Sequence, residues 1–180
     1  HCGEGSNSHC QYAIDNTTYP IDDPIPTTCV TINVPIEYQI TDLNVCFDIV
    51  HTFDGDLDIF LTSPMGTIIE LSTDNGGSGQ NYTCTTFDDE AANSVTTGSA
   101  PFSGSFQPET LLSAVDGENA LGAWVLCITD DAGGDIGWLN YVCLEFTYDI
   151  ILPVAFGSFD AVAGDREVTL NWNTPVSYTH

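Results

Sequence analysis

The stretch Leu43-Asn-Val-Cys-Phe-Asp-Ile49 alternates apolar and polar residues, so that every second side chain from Leu43 to Ile49 lies on one face. A period of two is typical of a half-buried β-strand. Similar short apolar stretches, bounded by Gly, Pro or Asp, follow or precede it at residues 30–34, 57–61, 67–71, 124–128 and 139–146. No 12-residue window has a strong helical period. The sequence therefore predicts an all-β protein, an antiparallel sandwich or barrel.

The β pattern divides the chain into three predicted parts. Residues 1–19 form a polar, cysteine-containing N-terminal segment, and residues 20–149 form the main domain. Residues 150–180 begin with a linker and continue as two strands between Phe159 and Trp172. Because two strands cannot form a domain alone, we expect this part to be the start of a second module or a tail that pairs with another partner.

The charge balance excludes several classes of function. The 180 residues include 26 acidic side chains and a single basic one, Arg166, for a net charge of −25. Since 42% of the residues are hydrophobic, the chain is a folded acidic protein and not a disordered tail. One cation cannot neutralise several phosphates, which excludes nucleic-acid binding through a basic surface and attraction to anionic lipid.

The cysteine content predicts an exported protein. Seven cysteines are scattered along the chain without a CxxC pair, a distribution that favours disulfides over a zinc site. No stretch approaches 18 apolar residues, so we predict no membrane span. The expected location is secreted, extracellular or at the cell surface. The disulfide candidates are Cys2, Cys10, Cys46, Cys84, Cys127 and Cys143.

Two disulfide arrangements follow from spacing. Cys2 and Cys10 are placed to close a small loop. Cys127 and Cys143 are equidistant from Asp135, so a symmetric hairpin between their strands would set them opposite each other. Cys46 also points away from the apolar face of its strand. Cys143 can therefore bond to either Cys127 or Cys46, and the odd number of cysteines leaves one over.

Clustered carboxylates predict a hard cation, and we expect calcium. Calcium takes six to eight oxygen ligands from carboxylates and from carbonyls of flexible turns. The long segment 74–105, rich in Gly, Ser, Asn and Thr, is predicted to have little regular structure and to need such a support. The alternative is that these acids cap turns or face solvent. The candidate metal ligands are Asp54, Asp56, Asp88, Asp89, Asp130 and Asp135.

The sequence does not predict catalysis. A serine-protease triad needs Asp, His and Ser presented by a suitable scaffold. His51 lies at a strand end, where we expect a structural hydrogen-bonding role, and Ser63-Pro64 lies in a turn. The remaining histidines are near the termini. We therefore predict that this chain is not an enzyme.

Four ordered motifs resemble the P domain, also called the P/Homo B domain, of proprotein convertases and bacterial secreted proteases. The first is Val50-His-Thr-Phe-Asp-Gly-Asp-Leu-Asp-Ile-Phe-Leu-Thr-Ser-Pro-Met-Gly-Thr67. The others are residues 76–82 with 87–91, residues 100–109, and residues 122–126 with 130–139. Gln80 departs from the pattern, since bacterial members usually have Asp there. The resemblance implies a jelly-roll β-sandwich, and residues 152–172 resemble the opening of a fibronectin-type-III-like module.

The resemblance implies a non-catalytic accessory domain, stabilised by calcium, that supports the folding of a larger secreted protein or binds its partners. Those partners would be its own protease domain or neighbouring domains of the parent chain. An alternative is a structural or adhesive module of a surface or extracellular fibre protein, with self-association through residues 155–180.

Overall fold

The structure is a computed structural model that describes residues 10–15, 17–22, 27–149, 158–163 and 168–173. The chain divides into two units, His1–Ile150 and Ile151–His180. The strands of the first unit are β1 (Tyr12–Ala13), β2 (Tyr19–Asp22), β3 (Thr27–Val34), β4 (Gln39–His51), β5 (Leu57–Thr62), β6 (Ile68–Thr73), β7 (Tyr82–Phe87), β8 (Phe102–Phe106), β9 (Gly122–Asp130) and β10 (Ile136–Asp149).

Two sheets form the sandwich of the first unit. The six-stranded sheet has the order β1-β10-β4-β7-β8, with β2 also paired to β10, and the four-stranded sheet has the order β3-β9-β5-β6. Neighbouring strands are antiparallel except for the parallel pair β7 and β8. Short 3₁₀ turns span Asp54–Asp56, Val95–Thr97 and Leu112–Val115. The predicted all-β sandwich is confirmed.

The core lies between the inner faces of the two sheets. The alternating apolar residues of β4, from Leu43 to Ile49, are all buried, as the sequence predicts. Phe47 packs against Tyr82, with ring centroids 5.6 Å apart, and Tyr82 stacks on Phe102 at 4.6 Å. Each such buried side chain contributes about 1.5–3 kcal/mol through the removal of apolar surface from water.

Segment 74–105 is more regular than the sequence predicts. It contains β7, β8 and the 3₁₀ turn Val95–Thr97, and the two strands extend the six-stranded sheet beyond β4. The sequence did not predict β7 because the segment is rich in small polar residues, although Tyr82, Thr85 and Phe87 of this strand are buried. This segment is therefore held in place largely by its own hydrogen bonds and apolar side chains.

The predicted hairpin between residues 124–128 and 139–146 is wrong. β9 lies in the four-stranded sheet and β10 in the six-stranded sheet, so the connection between them crosses from one layer to the other. A disulfide from Cys127 to Cys143 is for this reason absent. Cys127 is bonded instead to Cys29, which faces it from β3 and was not among the candidates.

Cys10 and Cys46 also differ from the predictions, whereas Cys84 agrees with its prediction as a disulfide candidate. Cys10 is bonded to Cys143 and not to Cys2, which lies outside the described residues. Cys84 is disulfide-bonded as well. Among the described residues, Cys46 is the free cysteine, although it is the register partner of Cys143.

The second unit contains two antiparallel strands, β11 (Ser158–Ala163) and β12 (Val168–Asn173), in which Ser158 is opposite Asn173. These are the two strands predicted between Phe159 and Trp172. The described parts of the chain contain no helix with the length and apolar character needed to cross a bilayer.

Replacing Gly137 with Ala is expected to destabilise the sandwich strongly. A Cβ atom at this position would lie 2.3 Å from the carbonyl oxygen of Val50 and 2.4 Å from Cδ2 of His51, so β10 would have to separate from β4. Overpacking of this kind costs about 1–3 kcal/mol or more. Urea unfolding measures the effect, and Gly133→Ala in the exposed β9–β10 connection is the matched control. Equal midpoints for the two variants would contradict the close packing of β4 against β10.

Candidate functional site

Three segments meet at the end of the sandwich where β4 ends and β5 begins. The 3₁₀ turn Asp54–Asp56 contacts the Gly-rich loop before β7, because the backbone N–H groups of Asp54 and Gly55 donate to the carbonyls of Gly79 and Gly77, both at 2.9 Å. The N–H of Asp131, after β9, donates to the carbonyl of Asp56 at 3.0 Å. We call this region the acidic end.

Glycine at position 55 is required by the closeness of the two backbones. A Cβ atom there would lie 2.8 Å from Cα of Gly77 and 3.0 Å from its carbonyl oxygen. A side chain at position 55 would therefore push the Gly-rich loop away, because Cα and the carbonyl oxygen of Gly77 can move only together with the loop backbone. The Asp-Gly-Asp sequence therefore serves the docking of the Gly-rich loop.

Asp54 is fully buried at the acidic end. Its Oδ1 accepts a hydrogen bond from the backbone N–H of Asn81 at 2.9 Å, whereas its Oδ2 has no partner among the described residues. Burial raises the pKa of Asp54 to about 6, and the Asn81 N–H and the charge of His51 oppose that rise. An unpartnered carboxylate oxygen in the interior is costly, so it is the feature of this end that needs an explanation.

His51 and Asp130 form a buried pair beside Asp54. Nε2 of His51 lies 3.3 Å from Oδ2 of Asp130, and both side chains are excluded from solvent. Nδ1 of His51 lies 2.9 Å from the carbonyl oxygen of Phe53. The backbone N–H of His51 donates to Oδ1 of Asn81 at 3.1 Å. The predicted structural role of His51 is confirmed, since these contacts join the end of β4 to the other sheet and to the Gly-rich loop.

The described residues do not assemble a nucleophilic serine with this pair. Ser63 lies in the β5–β6 turn, where its hydroxyl donates to Oε2 of Glu118 at 2.7 Å, and no serine of the described ranges hydrogen-bonds to His51. The Ser63 hydroxyl is thus bonded to Glu118 and not to the histidine of the pair. Among the described residues, the His51–Asp130 pair forms a hydrogen bond between the two sheets.

Three of the six predicted metal ligands are electrostatic neighbours at the acidic end. Burial, followed by the charges of Asp130, Asp135 and Asp131, raises the pKa of Asp56. Oδ1 of Asp135 accepts a hydrogen bond from the Thr52 hydroxyl at 2.8 Å. Within the described ranges, however, no three acidic, histidine or cysteine side chains are grouped closely enough to hold a metal by themselves. Any cation here would need backbone carbonyls or water as further ligands.

Asp88 and Asp89 lie near the opposite end of β4. Asp42, at the start of β4, has its pKa raised by burial and then by the charge of Asp88. The two oxygens of Asp89 accept hydrogen bonds from the backbone N–H groups of Leu112 and Ser113, at 2.8 and 2.9 Å. These bonds anchor the 3₁₀ turn that begins at Leu112, and they account for Asp89 without a metal.

Sequence reasoning missed two residues that organise the ends of the sandwich. Asn81 connects Asp54 to His51, and its positive φ of 76° marks the turn into β7. Glu118 accepts hydrogen bonds from Ser63 and from Thr67, and so holds the β5–β6 turn. An Asn directly after a Gly-rich loop was an available signal, whereas nothing local distinguishes Glu118 from other surface acids.

The second end of the sandwich presents exposed apolar side chains in addition to the acids around Asp42. At this end β3 ends and β9 begins, with Val34 opposite Gly122. The β5–β6 turn lies close to Gly122, since a Cβ atom on this glycine would lie 2.8 Å from the Pro64 side chain. Met65 and Ile68 are 67% and 64% exposed. We call the exposed residues that belong to these strand ends the apolar end: Ile36, Met65, Ile68 and Leu121.

The stability of the protein in a chelating buffer is expected to fall as the pH rises through about 6. A carboxyl whose pKa is raised by folding stabilises the folded state while it is protonated, and this contribution is lost on ionisation. For Asp54 the loss is on the order of 2 to 3 kcal/mol between pH ~4 and ~7. Urea unfolding across this range should show a smaller slope for Asp54→Asn, and the exposed Asp131→Asn is the matched control. The same slope in wild type and Asp54→Asn would contradict this account of the buried carboxyl.

Comparisons with known proteins agree with the geometry. The sequence profile of the proprotein convertase P-domain matches residues 40–146. Leupeptin-inactivating enzyme 1 of Streptomyces exfoliatus is 29% identical over 126 residues, which cover 70% of this chain and 22% of that enzyme.

Two solved structures are also similar. The serine protease of Aeromonas sobria in complex with a chaperone has a TM-score of 0.49 at 20% identity, over 77% of this chain and 27% of the protease chain. A second structure, of a serine protease of Aeromonas sobria, has a TM-score of 0.42 at 18% identity, over 74% of this chain and 27% of the other. The chain thus spans about a quarter of the length of these proteins. Because the matched residues 40–146 are more than half of the chain and include both ends of the sandwich, this chain belongs to the proprotein convertase P-domain family.

Proposed function

We propose that this chain is a non-catalytic accessory domain of a larger secreted protein, in which it supports the folding of a protease or other neighbouring domain and binds to it. The observation that carries the proposal is the family match over residues 40–146, because P domains accompany protease domains. The hydrogen bonds of His51, Asp130 and Ser63 support it, since each of these side chains has a structural partner.

An oxidising location is part of this proposal. The disulfides Cys10–Cys143 and Cys29–Cys127 support it, because disulfides form and persist outside the cytosol. Secretion or display at the cell surface satisfies this condition. The fibronectin-type-III-like start after residue 150 remains a prediction from the sequence.

The surface we propose for the neighbouring domain is the apolar end. Met65 and Ile68 are largely exposed on a turn that Glu118 holds in place, so the apolar side chains are presented by a fixed backbone. Exposed apolar side chains on a fixed turn are suited to burial against a partner. Glu37 and Glu70 flank the patch along the chain, and the net charge of −25 opposes a second copy of this chain as the occupant. The occupant we propose is an apolar surface with a basic rim on the parent protein.

We further propose that calcium stabilises the acidic end. The unpartnered, buried Oδ2 of Asp54 supports this, and so does a separate group at the same end, in which the charges of Asp130 and Asp135 raise the pKa of Asp56. When bound, a hard cation would neutralise these carboxylates and use carbonyl oxygens of the adjoining turns as further ligands. The residues present fit such an ion in chemical type.

Calcium is expected to raise the melting temperature of the wild-type chain by several degrees relative to chelator. A ligand at about 100 times its dissociation constant adds roughly 2.7 kcal/mol to the free energy of unfolding. Asp54→Asn should lose this shift, whereas Asp88→Asn, at the other end of β4, should retain it. Differential scanning calorimetry at fixed high salt measures both. Equal melting temperatures in calcium and chelator, or a shift lost only in Asp88→Asn, would refute a site at the acidic end.

Charged substitutions at the apolar end are expected to weaken binding between two separately expressed molecules. One is this chain, and the other is the parent protein from which the residues numbered 1–150 here have been deleted. Met65→Asp with Ile68→Asp should reduce affinity at least about tenfold, because burial of each apolar side chain contributes about 1.5–3 kcal/mol. The matched control is Val50→Asp with Ile136→Asp, which alters exposed apolar residues on the face of the other sheet. Isothermal titration calorimetry measures the affinities. Equal losses of affinity in the two double variants would contradict the assignment of the surface. If the chain self-associates and deletion of residues 155–180 abolishes this, the fibre alternative is favoured.

A further inference from the structure

A free thiol and a disulfide lie side by side on the outer face of the six-stranded sheet. Cys46 on β4 is directly opposite Cys143 on β10, and Cys143 is bonded to Cys10. The flanking residues of Cys46, Val45 and Phe47, are buried in the core, so strand alternation directs the Cys46 side chain to the outer face.

The Cys143 side chain lies on the same face. Its neighbours Val142 and Leu144 belong to the core, and residues directly opposite in antiparallel strands project to the same side. On β7 the residue opposite Cys46 is Thr86, and on β1 the residue opposite Cys143 is Ala13. The thiol therefore faces the disulfide across one strand spacing.

The other sheet shows that opposed cysteines in this protein can bond. Cys29 and Cys127 are likewise register partners in neighbouring antiparallel strands, and they form a disulfide with a Cα–Cα distance of 4.1 Å. Cys46 and Cys143 have the same relation in the six-stranded sheet, where opposed Cα atoms are about 4.5–5.5 Å apart. That spacing is within the range that disulfides span.

We propose that Cys46, Cys143 and Cys10 form a thiol–disulfide exchange site. The Cys46 thiolate attacks Sγ of Cys143, a new Cys46–Cys143 bond forms, and the Cys10–Cys143 bond breaks. Cys10 leaves as a thiolate and takes up a proton, while the proton of Cys46 is lost to solvent. One disulfide and one thiol are present before and after the step, so no external oxidant or reductant is needed.

The surroundings of Cys46 set the rate of exchange. Burial raises the pKa of the half-buried Cys46 thiol, a hydrogen bond with Thr86 opposes that rise, and the carboxylates of Glu145 and Asp48 add to it. Tyr141 is the further titratable neighbour, and burial, then the charge of Cys46, raises its pKa. Because the thiolate is the nucleophile, exchange is slow at neutral pH and accelerates as the pH rises.

Exchange would release the disulfide that holds Cys10 to β10. Cys10 is exposed, and the contacts of the two residues that follow it are hydrogen bonds. The Gln11 side chain hydrogen-bonds both backbone groups of Phe146, each at 2.9 Å, and the Tyr12 hydroxyl lies 3.1 Å from that of Tyr38. The chain-entropy difference between the two disulfides is small, since it depends on the logarithm of loop length. The product is an intact sandwich with a reactive thiol at Cys10.

Disulfide mapping of the full chain tests the proposal. The protein is held at about pH 7 or about pH 9, quenched in acid, labelled with a maleimide, digested without reduction and analysed by mass spectrometry. At the lower pH the label is expected on Cys46. At the higher pH a Cys46–Cys143 peptide should appear and the label should move to Cys10, while Cys29–Cys127 stays intact. Label that remains on Cys46 alone after prolonged incubation at the higher pH would overturn the proposal.

Two variants separate this exchange from general scrambling. Cys46→Ser should leave Cys10–Cys143 unchanged and Cys10 unlabelled at both pH values. Cys10→Ser, treated with oxidised glutathione and shown by circular dichroism to be folded, should form Cys46–Cys143. Separate glutathione adducts on Cys46 and Cys143 in that folded variant would also overturn the proposal, as would Cys10 labelling in Cys46→Ser.

Discussion

The antiparallel pairing of β4 with β10 is the constraint on which the rest of the sandwich depends. It runs from His51 opposite Gly137 to Gln39 opposite Asp149, in the middle of the six-stranded sheet. One face of this ribbon supplies much of the core, and the other carries the three-cysteine arrangement. The His51 end of the β4–β10 pair positions the buried polar groups. The Gln39 end of the pair lies beside the acids around Asp42. A shift of one residue in this register would exchange the two faces and expose the core side chains.

The acidic end shows how buried polar groups fix the layers relative to one another. His51 joins β4 to Asp130 on the other sheet, and Asn81 joins both His51 and Asp54 to the Gly-rich loop. Hydrogen bonds are directional, so they specify a single arrangement of these loops. Apolar packing is not directional and would permit several arrangements. Oδ2 of Asp54 and, at the start of β5, Oδ1 of Asp58 are buried without a hydrogen-bond partner among the described residues, and the fully buried Asp54 is the reason this end attracts a functional explanation.

The two ends of the sandwich differ in the interactions they offer. The acidic end concentrates negative charge on short turns, whereas the apolar end presents large side chains on a turn that Glu118 holds. This difference is the basis for proposing a neighbouring domain at one end and calcium at the other. Fold alone does not assign a function, so the proposal depends on these particular side chains and on family membership.

The sequence by itself determined the strands with strict alternation, the buried face of β4, the all-β class and the structural role of His51. These properties follow from the local period of side chains or from composition. Only the tertiary structure decided that β9 and β10 belong to different sheets, that Cys10 reaches Cys143, and that Asp89 caps a turn while Asp54 is left with an unpartnered oxygen. The physical reason is distance along the chain. Cys10 and Cys143 are separated by 133 positions and Cys29 and Cys127 by 98, so their pairing depends on how the layers assemble and not on any local pattern.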